Sequence, residues 1–159
     1  MSEIKQHIHQ LESEIMEAMN AIATIESFYH NIKETLTDDT DPRNAITLSE
    51  IFVNYYTCLE TIFFRISNFF ENTLSKDRWH AELLKKMKLR IHDIREPVIS
   101  EKSYEILDEF RRFRHFKRYY FQFSYDRDKL DFLQKKFEQL IDNIHQELDN
   151  FVLFLKQLK

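Results

Sequence analysis

The sequence predicts an all-α protein, an up-and-down bundle of about five helices, four long and one short. Three observations lead there. The 159 residues contain no glycine and only two prolines, and sheet-rich folds usually need glycine in their hairpins and bulges, whereas long helices joined by polar turns do not. Apolar residues at both ends of the chain recur in steps of three and four, the period of a helix and not of a strand. Between those ends, charged and apolar residues alternate without any low-complexity tract or internal repeat.

The first helix is predicted over residues 4 to 36, where Ile4, Ile8, Leu11, Ile15, Ala18, Ile22, Ile25, Tyr29, Ile32 and Leu36 form a heptad seam. It should stop in the run from Thr37 to Asn44, because Asp and Thr compete for backbone hydrogen bonds and Pro42 disfavours helix in the residue before it. Residues 45 to 74 read as a second helix, apolar around much of its circumference, from Ile51 and Phe52 to Phe69 and Phe70. That pattern marks a central helix or a subunit interface. A polar break at 75 to 77 precedes a short third helix over about 78 to 91, closed by Arg95, Glu96 and Pro97. Ser100 is placed to cap a fourth helix over about 101 to 121. Asp126 opens the fifth, with a seam running from Leu130 through Leu133, Phe137, Leu140, Ile144, Leu148 and Phe151 to Leu155 and Leu158. All of residues 1 to 159 are expected to form one helical domain.

The same composition removes several function classes. Phosphate-binding loops of P-loop and dinucleotide-binding enzymes need glycines for tight turns and close backbone approach. The single cysteine, Cys58, closes no internal disulfide and supplies no thiolate set for structural zinc, so a reducing, cytoplasmic setting is expected. No stretch approaches the ~18 uninterrupted apolar residues of a membrane span, and the start has no signal-peptide pattern. Neither a membrane partner nor a bound cofactor or metal is expected. The net charge of −4 means that any nucleic-acid site must be a local patch.

One such patch exists. Arg111, Arg112, Arg114, Lys117 and Arg118, with His115, fall within eight positions. At about 100° per residue, Tyr104, Arg111, Arg114, His115 and Arg118 lie on one side of the fourth helix, and Ile106, Phe113, Phe116 and Tyr120 on the other. The apolar side should pack, leaving the basic side to a solvent cleft or a partner. A stripe of this kind is often only a solvated face with arginine stems lying over apolar surface. The clustering here favours an anion, since guanidinium groups match phosphate and the aromatics Tyr119, Tyr120 and Phe121 offer faces for unpaired bases.

The segment Leu107-Asp-Glu-Phe-Arg-Arg-Phe-Arg-His-Phe-Lys-Arg-Tyr-Tyr-Phe121 resembles the signature helix of HEPN domains, specifically the HepT-like ribonuclease toxins. Trp79-His-Ala-Glu-Leu-Leu-Lys-Lys-Met87, the turn Arg95-Glu-Pro-Val-Ile-Ser100 and Tyr56-Thr-Cys-Leu-Glu60 are similar to segments of the same family in the same order. The resemblance covers roughly residues 45 to 155. It implies a HEPN-like bundle that forms a homodimer, cleaves RNA without a metal through an Arg-x-x-x-x-His motif, and is neutralised by a nucleotidyltransferase-type antitoxin. Carried onto this chain, the motif arginine is Arg114 and the polar residue after it is His115. Tyr119 stands at the histidine position, and Phe121 at the position of a tyrosine that such a partner modifies with AMP. Tyr119 and Tyr120 are then the alternative candidates for modification. The alternative expectation is a HEPN domain without cleavage, serving as an RNA-binding or nucleotidyltransferase-binding module.

Metal-independent cleavage needs a base for the 2′-OH, an acid for the leaving 5′-oxygen and a cation on the transition state. Arg114 or Arg118 supplies the cation, Tyr119 the phenol as an acid, and His115, one turn before Tyr119, is the substitute base. Arg111, Lys117 and Arg118 are the expected RNA-binding cations. Positions 114 and 119 point about 140° apart on a regular helix, so the site needs a helix distortion or groups from a second subunit.

Other candidates rank lower. His7 and His9 diverge on a helix and read as surface residues. Glu26 and His30 share a face, but the Glu-x-x-His pairs of di-iron bundles are missing. Glu60, amid apolar residues, calls for a cationic partner and is expected to position an arginine. Trp79 reads as a packing anchor, His80 as a residue at the rim of the site, and Cys58 as buried filler.

Overall fold

The computed structural model describes residues 2–71, 74, 77–119 and 125–159, with the backbone alone at 118 and 119. Five α-helices follow one another: α1 (Glu3–Ile32), α2 (Pro42–Phe70), α3 (Trp79–Met87), α4 (Glu101–Tyr119) and α5 (Arg127–Gln157), with a 3-10 turn at Thr35–Thr37. This is the all-α bundle the sequence predicts. Helix α2 packs against each of the other four, which makes it the central helix.

The chain's own polar residues set the helix ends. Ser2 caps α1, accepting from the Lys5 N–H at 3.3 Å. The regular helix ends at Ile32, four residues before the predicted end, and tightens into the 3-10 turn. There the hydroxyls of Thr35 and Thr37 each donate to a carbonyl three residues back, at 2.7 Å. The Asn44 amide donates across the loop to the carbonyls of Thr35 and Asp38, at 2.8 and 2.9 Å. These side chains satisfy carbonyls that further helix would have used.

Helix α2 starts at Pro42, three residues before the predicted start. Proline suits the first helical position, where its missing N–H costs nothing, and the Asp41 carboxylate caps the turn from the Arg43 N–H at 3.0 Å. It ends at Phe70, short of the predicted 74; positions 75 and 76 of the polar break lie outside the described residues.

Helix α3 stops at Met87 and not at 91, because its last carbonyls are taken by the following loop. The N–H groups of Val98 and Ile99 donate to Met87, at 2.8 and 3.2 Å. The buried Arg95 guanidinium donates to the Lys86 and Leu89 carbonyls, at 2.9 and 3.0 Å, and to the Glu71 carboxylate, at 2.6 and 3.0 Å. The connection turns through Asp93 at φ 61°, a left-handed conformation that a chain without glycine gives to an aspartate. Ser100 caps α4 as predicted, accepting from the Ser103 N–H at 3.1 Å, and Asp126 caps α5, accepting from the Asp128 N–H at 3.0 Å.

The core is one cluster drawn from every helix. Phe137 of α5 stands edge-on to Tyr55 and tilted against Phe52, with ring centroids 4.8 and 5.5 Å away. Both predicted seams are buried over most of their length, though Ile4 is exposed. On α4, Ile106, Leu107, Phe110 and Phe113 are buried, but Phe116 is 46% exposed. The prediction that Phe116 packs with Phe113 is therefore corrected: Phe113 is buried, and Phe116, on the next turn, is about half exposed. Among the described residues, no helix is long and apolar enough to cross a membrane.

Candidate functional site

The site is organised by Glu60. It sits mid-way along α2, where burial forces an ionised carboxylate to find partners, and its side chain is only 8% exposed. Three helices supply those partners. Arg114 of α4 places Nη2 2.9 Å from both carboxylate oxygens. His80, in the first turn of α3, brings Nδ1 to 2.9 Å from Oε2. Tyr56, one turn earlier on α2, lies under the Arg114 guanidinium at 4.6 Å. The Arg114 Nη1 also donates to the Thr57 hydroxyl at 3.1 Å.

Arg114 is thus fixed on one side by a carboxylate, a hydroxyl and an aromatic face. A guanidinium has five N–H donors. Among the described residues, Nε–H and one Nη1–H of Arg114 are not taken by the contacts above. Its side chain is 18% exposed, and a guanidinium with donors to spare matches the oxygens of a phosphate.

The phenol of Tyr56 is held far above its ordinary range, first by burial and then by the Glu60 charge, against a smaller lowering by Arg114. It is a neutral wall of the site. His80 stacks on Trp79, with centroids 3.6 Å apart, and Trp79 meets Phe64 edge-on at 5.5 Å. A groove of about 340 Å³ opens beside this group, lined by Glu60, Thr61, Phe64, Arg65, Asn68 and Trp79.

The fold therefore brings Glu60, His80 and Arg114 together. The other sequence candidates fall elsewhere. His115 is exposed and lies about 100° round α4 from Arg114. Arg111 pairs with Asp108 at 2.9 Å, as does Arg112 at 2.7 Å, and Lys117 pairs with Glu50. Much of the basic cluster is thus neutralised by carboxylates close at hand. The side chains of Arg118 and Tyr119, and Tyr120 and Phe121 altogether, lie outside the described residues.

Tyr56 and Thr57 were not among the sequence candidates. The available signal was their spacing from Glu60, one turn earlier on the same helix, which an apolar neighbourhood concealed. A second buried carboxylate was also hidden. Glu26 of α1 accepts from the Tyr55 hydroxyl at 3.0 Å and meets His145 Nε2 of α5 at 2.7 Å. Its histidine partner is on a different helix, not at His30 one turn away. Cys58 is partly buried, its thiol pushed up by burial, so little reactive thiolate forms. Among the described residues, no group of three or more His, Cys, Asp or Glu side chains is placed to hold a metal ion.

A search of the curated proteins and one of the solved structures returned no match. A family model described as "HepT-like protein" matches residues 47–155. That span runs from within α2 to the last turn of α5 and includes Glu60, His80 and Arg114. With most of its length matched, from the central helix to the last, this chain belongs to the HepT-like protein family.

Proposed function

We propose that this protein is a toxin-type endoribonuclease of a toxin–antitoxin pair, cleaving RNA without a metal in the cytoplasm. The observation that carries this reading is the setting of Arg114, anchored from behind by Glu60 and Tyr56 with N–H donors left over. A cation so held stabilises charge developing on a phosphate without having to reorganise. Arg111, Lys117 and Arg118 extend the track for flanking phosphates, with Asp108 and Glu50 giving way on binding. His115 and Tyr119 line the same helix and are the groups through which a second copy of the chain completes the cleft. A small nucleotidyltransferase is the proposed antitoxin, acting on Tyr119 or Tyr120 because Phe121 has no hydroxyl to modify.

A second reading, a HEPN domain that binds RNA or a nucleotidyltransferase without cleaving, is favoured by Tyr119 and Phe121, which take the places of a histidine and a tyrosine. Incubation with a mixed RNA pool in EDTA separates the two, with Arg114→Ala and His115→Ala run alongside. Cleavage by the wild type, lost in Arg114→Ala, is the expected result. Intact RNA in every lane, from folded protein, would leave the binding module.

A further inference from the structure

We propose that His80 is the general base of this site, an assignment that rests on the ribonuclease reading and names the group that takes the 2′-OH proton. The fourth helix offers no histidine beside Arg114 on the same face, but the third helix does. The His80 Nδ1 lies 2.9 Å from Glu60 and 3.3 Å from Arg114 Nη2.

The hydrogen bonding fixes the tautomer. An ionised carboxylate only accepts, so the nitrogen facing Glu60 carries the proton. Arg114 only donates, so its 3.3 Å approach to that same nitrogen is a close contact between two donors that share one carboxylate. The lone pair of the neutral ring is therefore on Nε2, across the ring from Glu60. Nδ1 is turned inward, Trp79 lies against the ring, and the side chain as a whole is 38% exposed. Among the described residues, Glu60 from α2 and Arg114 from α4 are charged groups set against the imidazole. A carboxylate behind an imidazole orients it and stabilises the imidazolium formed when the base takes a proton.

The step balances with water as the only other participant. His80 Nε2 takes the 2′-OH proton as the 2′-oxygen bonds to phosphorus. The P–O5′ bond breaks, and the 5′-oxygen departs with its electron pair and takes a proton from water. The products are a 2′,3′-cyclic phosphate and a 5′-hydroxyl, and His80 returns its proton to solvent. The guanidinium beside the ring faces the non-bridging oxygens throughout.

His80→Asn is the informative variant, because the amide N–H keeps a donor to Glu60 and leaves the Glu60–Arg114 pair in place while removing the base. Cleavage of a labelled single-stranded oligoribonucleotide in EDTA is measured across pH for wild type and variant, with a denaturation curve for each. Loss of activity by about 100-fold or more, disappearance of the limb near neutrality from the pH–rate profile, and an unchanged denaturation curve are expected. Wild-type cleavage with His80→Asn within about threefold and the same pH profile would overturn the assignment and leave the ribonuclease reading standing. Intact RNA with wild-type protein would overturn both. If His80→Asn is less stable than wild type, His80→Gln is measured the same way, and a neutral limb retained by either variant counts against the proposal.

Discussion

Arg114 and Glu60 meet across α4 and α2 with both carboxylate oxygens 2.9 Å from a single guanidinium nitrogen. The pair ties the basic helix to the centre of the bundle, and each partner has a different alternative when the other is lost. Glu60 is nearly buried, whereas the longer arginine is more exposed. Arg114→Ala should therefore lower stability by about 1–3 kcal/mol, because the buried carboxylate is left with His80 in place of two partners. Glu60→Gln should cost clearly less, and the double variant less than the two losses added. Denaturant unfolding of the three variants checks this; strictly additive losses would mean that the two residues do not act as a pair.

Arg95 carries a larger structural role than its place in a loop suggests. Its side chain is fully buried, and its guanidinium joins Glu71, at the end of α2, to the carbonyls that close α3. Arg95→Ala should destabilise by about 3–5 kcal/mol. Arg95→Lys should recover little, since one ammonium cannot span two carbonyls and a carboxylate. Recovery to within about 1 kcal/mol of wild type would show that charge alone, not the planar fork, holds this loop.

Alkaline pH should unfold the protein through its buried tyrosines. Tyr29, Tyr55 and Tyr56 are all raised well above the ordinary 10.0, in each case chiefly by burial. The folded state therefore keeps protons that the unfolded chain releases. Their contribution is fully present below pH 10 and is lost as the pH rises above it, when the unfolded phenols ionise. Phenolate absorbance should show a late group of tyrosines titrating together with loss of helical circular dichroism. Smooth titration of all seven tyrosines with the helix intact would contradict the burial.

RNA affinity should rise when a carboxylate is removed from the basic helix. Lys117 is paired with Glu50 and Arg111 with Asp108, so an incoming phosphate must displace a carboxylate in each case. Glu50→Gln should tighten binding of a single-stranded oligonucleotide several-fold and steepen the salt dependence by about 0.7, the slope of one further neutralised phosphate. Its effect on stability should stay within about 0.5 kcal/mol, because the pair is on the surface. An unchanged affinity and slope would place Lys117 outside the RNA track.

The helices were legible because each is written locally. The seams of α1 and α5, the caps Ser100 and Asp126, and the polar run after α1 all act over a few residues, and the structure follows them. The ends that shifted did so through contacts beyond the helix itself: Asn44 reaches back to hold the 3-10 turn after α1, and Arg95 stops α3 early by claiming its carbonyls. For the site, Glu60 in an apolar helix called for a cation, and the basic run on α4 contained one.

Which cation it would be was a tertiary matter. Five cations stand within eight residues, and the packing of α4 across α2 brings Arg114 to Glu60, while Arg111 and Lys117 pair with Asp108 and Glu50. The same holds for His80, twenty positions from Glu60 in sequence and 2.9 Å from it in space. By itself the sequence determined the helical class, the order of the helices and their capping, because these depend on period and on neighbouring residues. The assembly of Glu60, His80 and Arg114 was decided only by the tertiary structure, because a buried carboxylate draws partners from whichever helices the core brings beside it.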